Sequence, residues 1–91
     1  MMNDVNIASS GAITMIVSNA ASIAARKLLR LQTVVDEQHL ICVEPISQDE
    51  TISVVVELLQ FDKKYGKVEV IVRSGEQLKY KAYLILKVLK K

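Results

Sequence analysis

Tryptophan is missing from this chain, and one phenylalanine with three tyrosines leaves it only 4% aromatic. Any core must therefore be built from aliphatic side chains. A single cysteine, Cys42, excludes an internal disulfide and fits a reducing, cytoplasmic compartment. His39 is equally alone, so no zinc site of His/Cys type is available. The two stand three residues apart in a strand-like segment. They would face opposite sides and could not pair as base and nucleophile. The three glycines are isolated and form no phosphate-cradling loop. The apolar run "AITMIVSNAASIAA" is too short to cross a bilayer and contains Ser18 and Asn19. The start carries no cationic segment of the secretory kind. From these absences no enzyme, cofactor, metal or small-molecule substrate is expected, and no membrane partner.

What is present argues for a folded chain. Hydrophobic residues make up 51% of 91 positions against 24% charged, which predicts one domain over residues 1–91, with residues 1–10 flexible. Net charge is only +2, but it is unevenly placed. Residues 63–91 hold nine Lys/Arg against two acids, giving +7, and residues 1–62 hold three against eight, giving −5.

Ser10 is placed to cap a helix from Gly11 to about Gln32. Its inward stripe is read as Ile13, Ile16 or Val17, Ala20, Ile23 or Ala24, Lys27 or Leu28, and Leu31. Ser18, Ser22, Ala25 and Leu29 form a second, small-residue stripe that another surface could approach. "TVVDEQ" breaks the pattern, and "HLICVEPI" reads as a strand ended by Pro45. "SQDE" is either a polar turn or a capping box from Ser47 to Glu50.

The stretch "TISVVVELLQF" can be a strand with Ile52, Val54, Val56 and Leu58 on one side, or a helix. Its β-branched residues favour the strand. "KVEVIVRS" and "LKYKAYLILKVLKK" alternate as strands after turns at "DKKYGK", with Gly66 available for a left-handed position, and "SGEQ". The expected architecture is α+β, one long N-terminal helix on a four-stranded antiparallel meander.

"SNA", Ala24, Leu28-Leu29, "SVVVELL", "VEV" and "SGE" followed by Tyr80 together resemble the gas vesicle protein O family of accessory proteins, from about Ser18 to Lys91. The aromatic residue before the second strand of that family is Glu50 or Thr51 here. Were residues 51–61 helical, the order would be βαβαββ. That order, with the ending "LILKVLKK", is similar to the Alba-type archaeal chromatin proteins. The family's paired lysines after the first strand are "SSG" in this chain, and its hairpin arm is missing.

Under the strand reading, Val55, Leu59, Ile71, Tyr83, Ile85 and Leu89 form an apolar outer sheet face. Such a face suits a partner or a second copy. The leading expectation is a non-enzymatic assembly protein that self-associates or binds a protein partner there. The alternative is a small basic nucleic-acid-binding protein using Lys63, Lys64, Lys67, Arg73, Lys79, Lys81 and Lys87.

Overall fold

The computed structural model describes residues 10–47 and 50–89, so the expectation of a flexible start falls, except at Ser10, outside the described residues. Helix α1 spans Ser10–Leu29. Four strands follow: β1 (Thr33–Cys42), β2 (Ser53–Phe61), β3 (Tyr65–Ser74) and β4 (Gln77–Val88). They form one antiparallel sheet in the order β1-β4-β3-β2. The class is α+β, a helix laid on a four-stranded antiparallel sheet.

Only the last three strands form a meander. β1 crosses to the far edge and pairs with β4, which corrects the simple meander. The segment after Cys42 is held in this crossing by the β4 backbone, where the Lys79 carbonyl accepts from the N–H groups of Val43 (2.9 Å) and Glu44 (3.1 Å). Ile46, at 6% exposure, joins the core. The β-branched stretch is a strand, so the βαβαββ alternative is excluded.

Ile52, just before β2, and Val54, Val56, Leu58 and Phe61 within it turn toward the core, packed against Val68, Val70, Val72, Ala82, Leu84 and Leu86 of the central strands. Gly66 is not a left-handed residue. It sits in β3 opposite Phe61, and any Cβ there would collide with the Phe61 ring. The positive φ belongs to Gly75, at 61°, in the two-residue turn between β3 and β4.

The helix is rotated from the expected stripe. Ile13, Val17, Ala21 and Ala25 are fully buried, a strict i, i+4 row, while Ile16, Ile23 and Leu28 are exposed. Alanines at the contact let helix and sheet approach closely, and the bulkier residues are left outside. α1 also ends before Gln32. Arg30 takes φ 58°, and the Leu31 N–H returns to the Ala25 carbonyl at 3.3 Å. By length and composition Ala12–Leu29 suffices to cross a membrane. The span is longer than the apolar run read from the sequence as too short to cross a bilayer, which corrects that expectation, and its buried row packs on the sheet.

Ser47 and Glu50 make one of the two bonds of the expected capping box. The Glu50 carboxylate accepts the Ser47 N–H at 2.7 Å, and the Glu50 N–H returns to the Ser47 carbonyl at 3.2 Å. No helix follows it before β2.

Candidate functional site

Two regions of the sheet carry polar groups that packing alone does not require. The first is the seam between α1 and β1, which run antiparallel. β1 bulges between Val35 and Glu37, so Val35 pairs with Leu86 and Gln38 with Leu84. The bulge absorbs Asp36 and brings Gln38 to the helix side. There Ser18 Oγ donates to Gln38 Oε1 at 2.7 Å. The other end of the amide, Nε2, is buried without a partner, as is the Thr33 hydroxyl. With Ser18 donating to Oε1, the end left unpaired is the donor. An unpaired buried group of this kind costs about 1–3 kcal/mol.

One helical turn on, Ser22 and Arg26 line a cavity of 230 Å³ with Thr33. No Asp or Glu occurs in residues 5–35, so no carboxylate from that stretch neutralises this end of the seam. The small-residue stripe of the helix therefore faces its own edge strand. Ser18 bonds to β1, and Ala25 is buried in the core.

The second region lies on the outer face. β2 bulges between Leu58 and Gln60, in the same cross-strand row as the β1 bulge; that row reads Glu37, Ile85, Lys67, Gln60. Bulges at both edges twist the strands and open the surface between them. Two adjoining cavities, 470 and 270 Å³, share Glu37, Lys67 and Ile85. Asp36 and Asp62 line the larger and His39 and Tyr83 the smaller. The Tyr65 and Lys64 N–H groups hold the Asp62 carboxyl below the usual carboxylate range. Lys81 sits 5.5 Å from the Tyr83 ring centre and 3.5 Å from Glu69. Tyr83 first, then Glu69, raises its pKa.

The residues singled out from sequence separate on the structure. Val55, Leu59, Ile71, Tyr83 and Ile85 share the outer face, with Val55 opposite Ile71. Leu89 does not join them. Its N–H bonds to the Gln32 carbonyl, and it lines the seam cavity. Lys67, Arg73, Lys81 and Lys87 are also on the outer face, and Lys63 and Lys64 are exposed in the β2–β3 turn.

Lys79 was expected beside Lys81 and Lys87 but is buried. A bulge after Val72 pairs Arg73 with Leu78 and Val72 with Tyr80, leaving Lys79 as the extra residue. Its ammonium lies 3.2 Å from Glu50 and 3.5 Å from Glu44, and donates to the Pro45 carbonyl at 3.4 Å. It therefore pins the crossing segment and cannot contact a polyanion. Cys42 is exposed, at the end of an edge strand. Its thiol, with burial, raises the pKa of Tyr80, its partner across the sheet. Among the described residues no group of three His, Cys, Asp or Glu could hold a metal.

The sequence reading missed Gln38, Thr33 and Arg26. "TVVDEQ" broke the alternation and was set outside the strand, although β1 begins at Thr33. A one-residue phase change is the mark of a bulge and was the available signal. Ser18, Ser22 and Arg26 at i, i+4 spacing were visible but looked like a weakly polar face.

No family model matches the chain. An uncharacterised protein of Bacillus subtilis, YtoI, is 28% identical over 91 residues. That match covers 100% of this chain and 21% of the relative, so the chain spans about a fifth of its length.

The fold is shared with solved structures. A hypothetical thioesterase of Streptococcus pneumoniae with coenzyme A gives a TM-score of 0.87 at 14% identity, covering 93% of this chain and 66% of that one. A protein of Streptococcus mutans bound to acetyl-CoA gives 0.86 at 15%, covering 93% and 68%. A thioesterase of Haemophilus influenzae gives 0.85 at 13%, covering 98% and 64%. The architecture is the hot-dog fold of these proteins.

These likenesses correct the functional expectations. Neither the non-enzymatic assembly protein working through an apolar sheet face nor the nucleic-acid binder has a counterpart among them, and the exclusion of an enzyme and of a small-molecule partner falls. The physical reason for the error is that the polar groups of the seam come together only through a bulge and a helix rotation.

Proposed function

We propose that this chain is a hot-dog-fold thioester hydrolase acting on acyl groups carried by coenzyme A, in the cytoplasm. The observation that carries the reading is the superposition of 93% of the chain, at a TM-score of 0.87, on a protein named as a thioesterase with coenzyme A. The seam supports it chemically. A thiolate is a far weaker base than an alkoxide and leaves readily. The protein must then polarise the carbonyl and direct a water molecule onto it. Gln38 Nε2 is a buried donor without a partner, the kind of group that stabilises the oxyanion formed when water adds to a thioester carbonyl. Ser18, bonded to the same amide, fixes its orientation. The tetrahedral intermediate then collapses with loss of coenzyme A as thiolate, which takes up the proton that water has released.

The test is release of free thiol from acetyl-CoA and longer acyl-CoA esters, read colorimetrically, beside calorimetric titration with coenzyme A. Turnover that falls about a hundredfold in Gln38→Leu, the cost typical of one lost oxyanion donor, is expected. Binding of coenzyme A without thiol release would overturn the hydrolase assignment. Failure to bind it at all would remove the reading entirely.

A further inference from the structure

The C-terminal end of α1 carries a cavity that the hydrolase reading does not use. Its 230 Å³ is lined by Ser22, Arg26, Leu31, Gln32, Thr33 and Leu89. At about 30 Å³ per water, that is room for roughly seven waters or one tetrahedral anion with a partial shell. Every polar side chain around it can donate, and none is acidic. The ion pairs among the described residues all involve Lys79 or Lys81, so Arg26 has no carboxylate partner there.

The helix terminus does not claim the guanidinium either. The Arg26 carbonyl already accepts the Arg30 N–H at 3.0 Å, and the Ala25 carbonyl accepts that of Leu31. The Thr33 hydroxyl at the cavity is buried and unpaired. The chain reaches Leu31 through Arg30 at φ 58°, a left-handed conformation uncommon for a residue other than glycine.

We propose that this cavity is a binding site for a phosphate-class anion, a free phosphate or the phosphate group of a nucleotide. Arg26 supplies a forked, charge-assisted pair of donors, and the Ser22 and Thr33 hydroxyls complete the cradle. Leu31 and Leu89 form its apolar walls and limit competing water. The site is independent of thioester hydrolysis, and its probes contain no thioester.

Amide and arginine side-chain NMR signals of the isotope-labelled chain, titrated with inorganic phosphate against chloride at constant ionic strength, test it. Saturable shifts are expected at Ser22, Gln32, Thr33 and the Arg26 side chain. Arg26→Gln should weaken them at least tenfold, as losing a hydrogen-bonded charge does, and Arg26→Lys should weaken them less. Arg26 is exposed, so an unchanged spectrum of the central strands will show that the variant is folded. A parallel titration with uridine 5′-monophosphate, which is no fragment of coenzyme A, separates the sources. Tighter, competing binding assigns the site to a nucleotide, and equal or weaker binding assigns it to free phosphate. Unsaturable shifts scattered over Lys63, Lys64 and Lys87, or an Arg26→Gln chain that binds phosphate as tightly as the unaltered one, would overturn the proposal.

Discussion

The two edges of this sheet are packed by different rules. At the β2 edge the inward row is Ile52, Val54, Val56, Leu58 and Phe61, and every member is apolar. At the β1 edge the inward row is Thr33, Val35, Gln38 and Leu40, opposite Ser18 and Ser22 of the helix. One edge buries apolar surface alone. The other keeps a hydroxyl and an amide end buried and unpaired. Packing could have filled those positions with valine and leucine. That it has not is the physical argument for placing ligand chemistry on the β1 side.

The comparison can be broken by substitution. Leu84, at 1% exposure, lies in β4 under the helix and serves both edges. Leu84→Ala should cost about 2–5 kcal/mol, measured by chemical denaturation. A loss below about 1 kcal/mol would mean that the core is elsewhere. Val56→Thr is nearly isosteric and adds one hydroxyl to the apolar edge, so it should destabilise by about 1–2 kcal/mol. The reverse exchange at the other edge, Thr33→Val, removes an unpaired hydroxyl and should raise stability by up to about 1 kcal/mol. If both exchanges destabilise equally, the two edges do not differ as described.

The smallest effect concerns the segment that joins the edges. Glu50 is held below the usual carboxylate range first by the Ser47 N–H, then by the Ser74 hydroxyl and Lys79. A lowered folded pKa means stability that is complete above the unfolded value, about 4.3, and lost as the pH falls through the lower folded value. Glu50→Gln should therefore flatten the acid limb of the unfolding profile below that pH and leave it unchanged near pH 7 in shape. An acid limb identical to that of the unaltered chain would show that Glu50 does not hold the crossing.

Much of the fold was readable from residues. The alternation of "VEVIV" and "YKAYLILKV", and the β-branched run from Thr51, placed three strands and one face of each. Strand order was not readable, because the partner of β1 is fixed by backbone bonds from Val43 and Glu44 to Lys79, about which alternation says nothing. The candidate site was hidden for a related reason. Bulges at Asp36, Leu59 and Lys79 each shift the side-chain phase by one. Reading straight through them sent Lys79 to solvent and left Gln38 outside the strand altogether. The helix stripe failed because close packing selected Ala21 and Ala25 over larger neighbours, a choice made by the sheet.

The central claim is that the β1 edge gives up stability to keep its polar groups for a ligand. The double variant Ser18→Ala/Gln38→Leu removes the hydrogen-bonded pair and its unpaired amide end together. Guanidinium unfolding and calorimetric titration with coenzyme A on the same preparation test the claim most directly. The account predicts an unfolding midpoint equal to or above that of the unaltered chain, with thiol release from acetyl-CoA reduced about a hundredfold while coenzyme A still binds. A lower midpoint with full thiol release would contradict it, because the seam would then be ordinary structural packing.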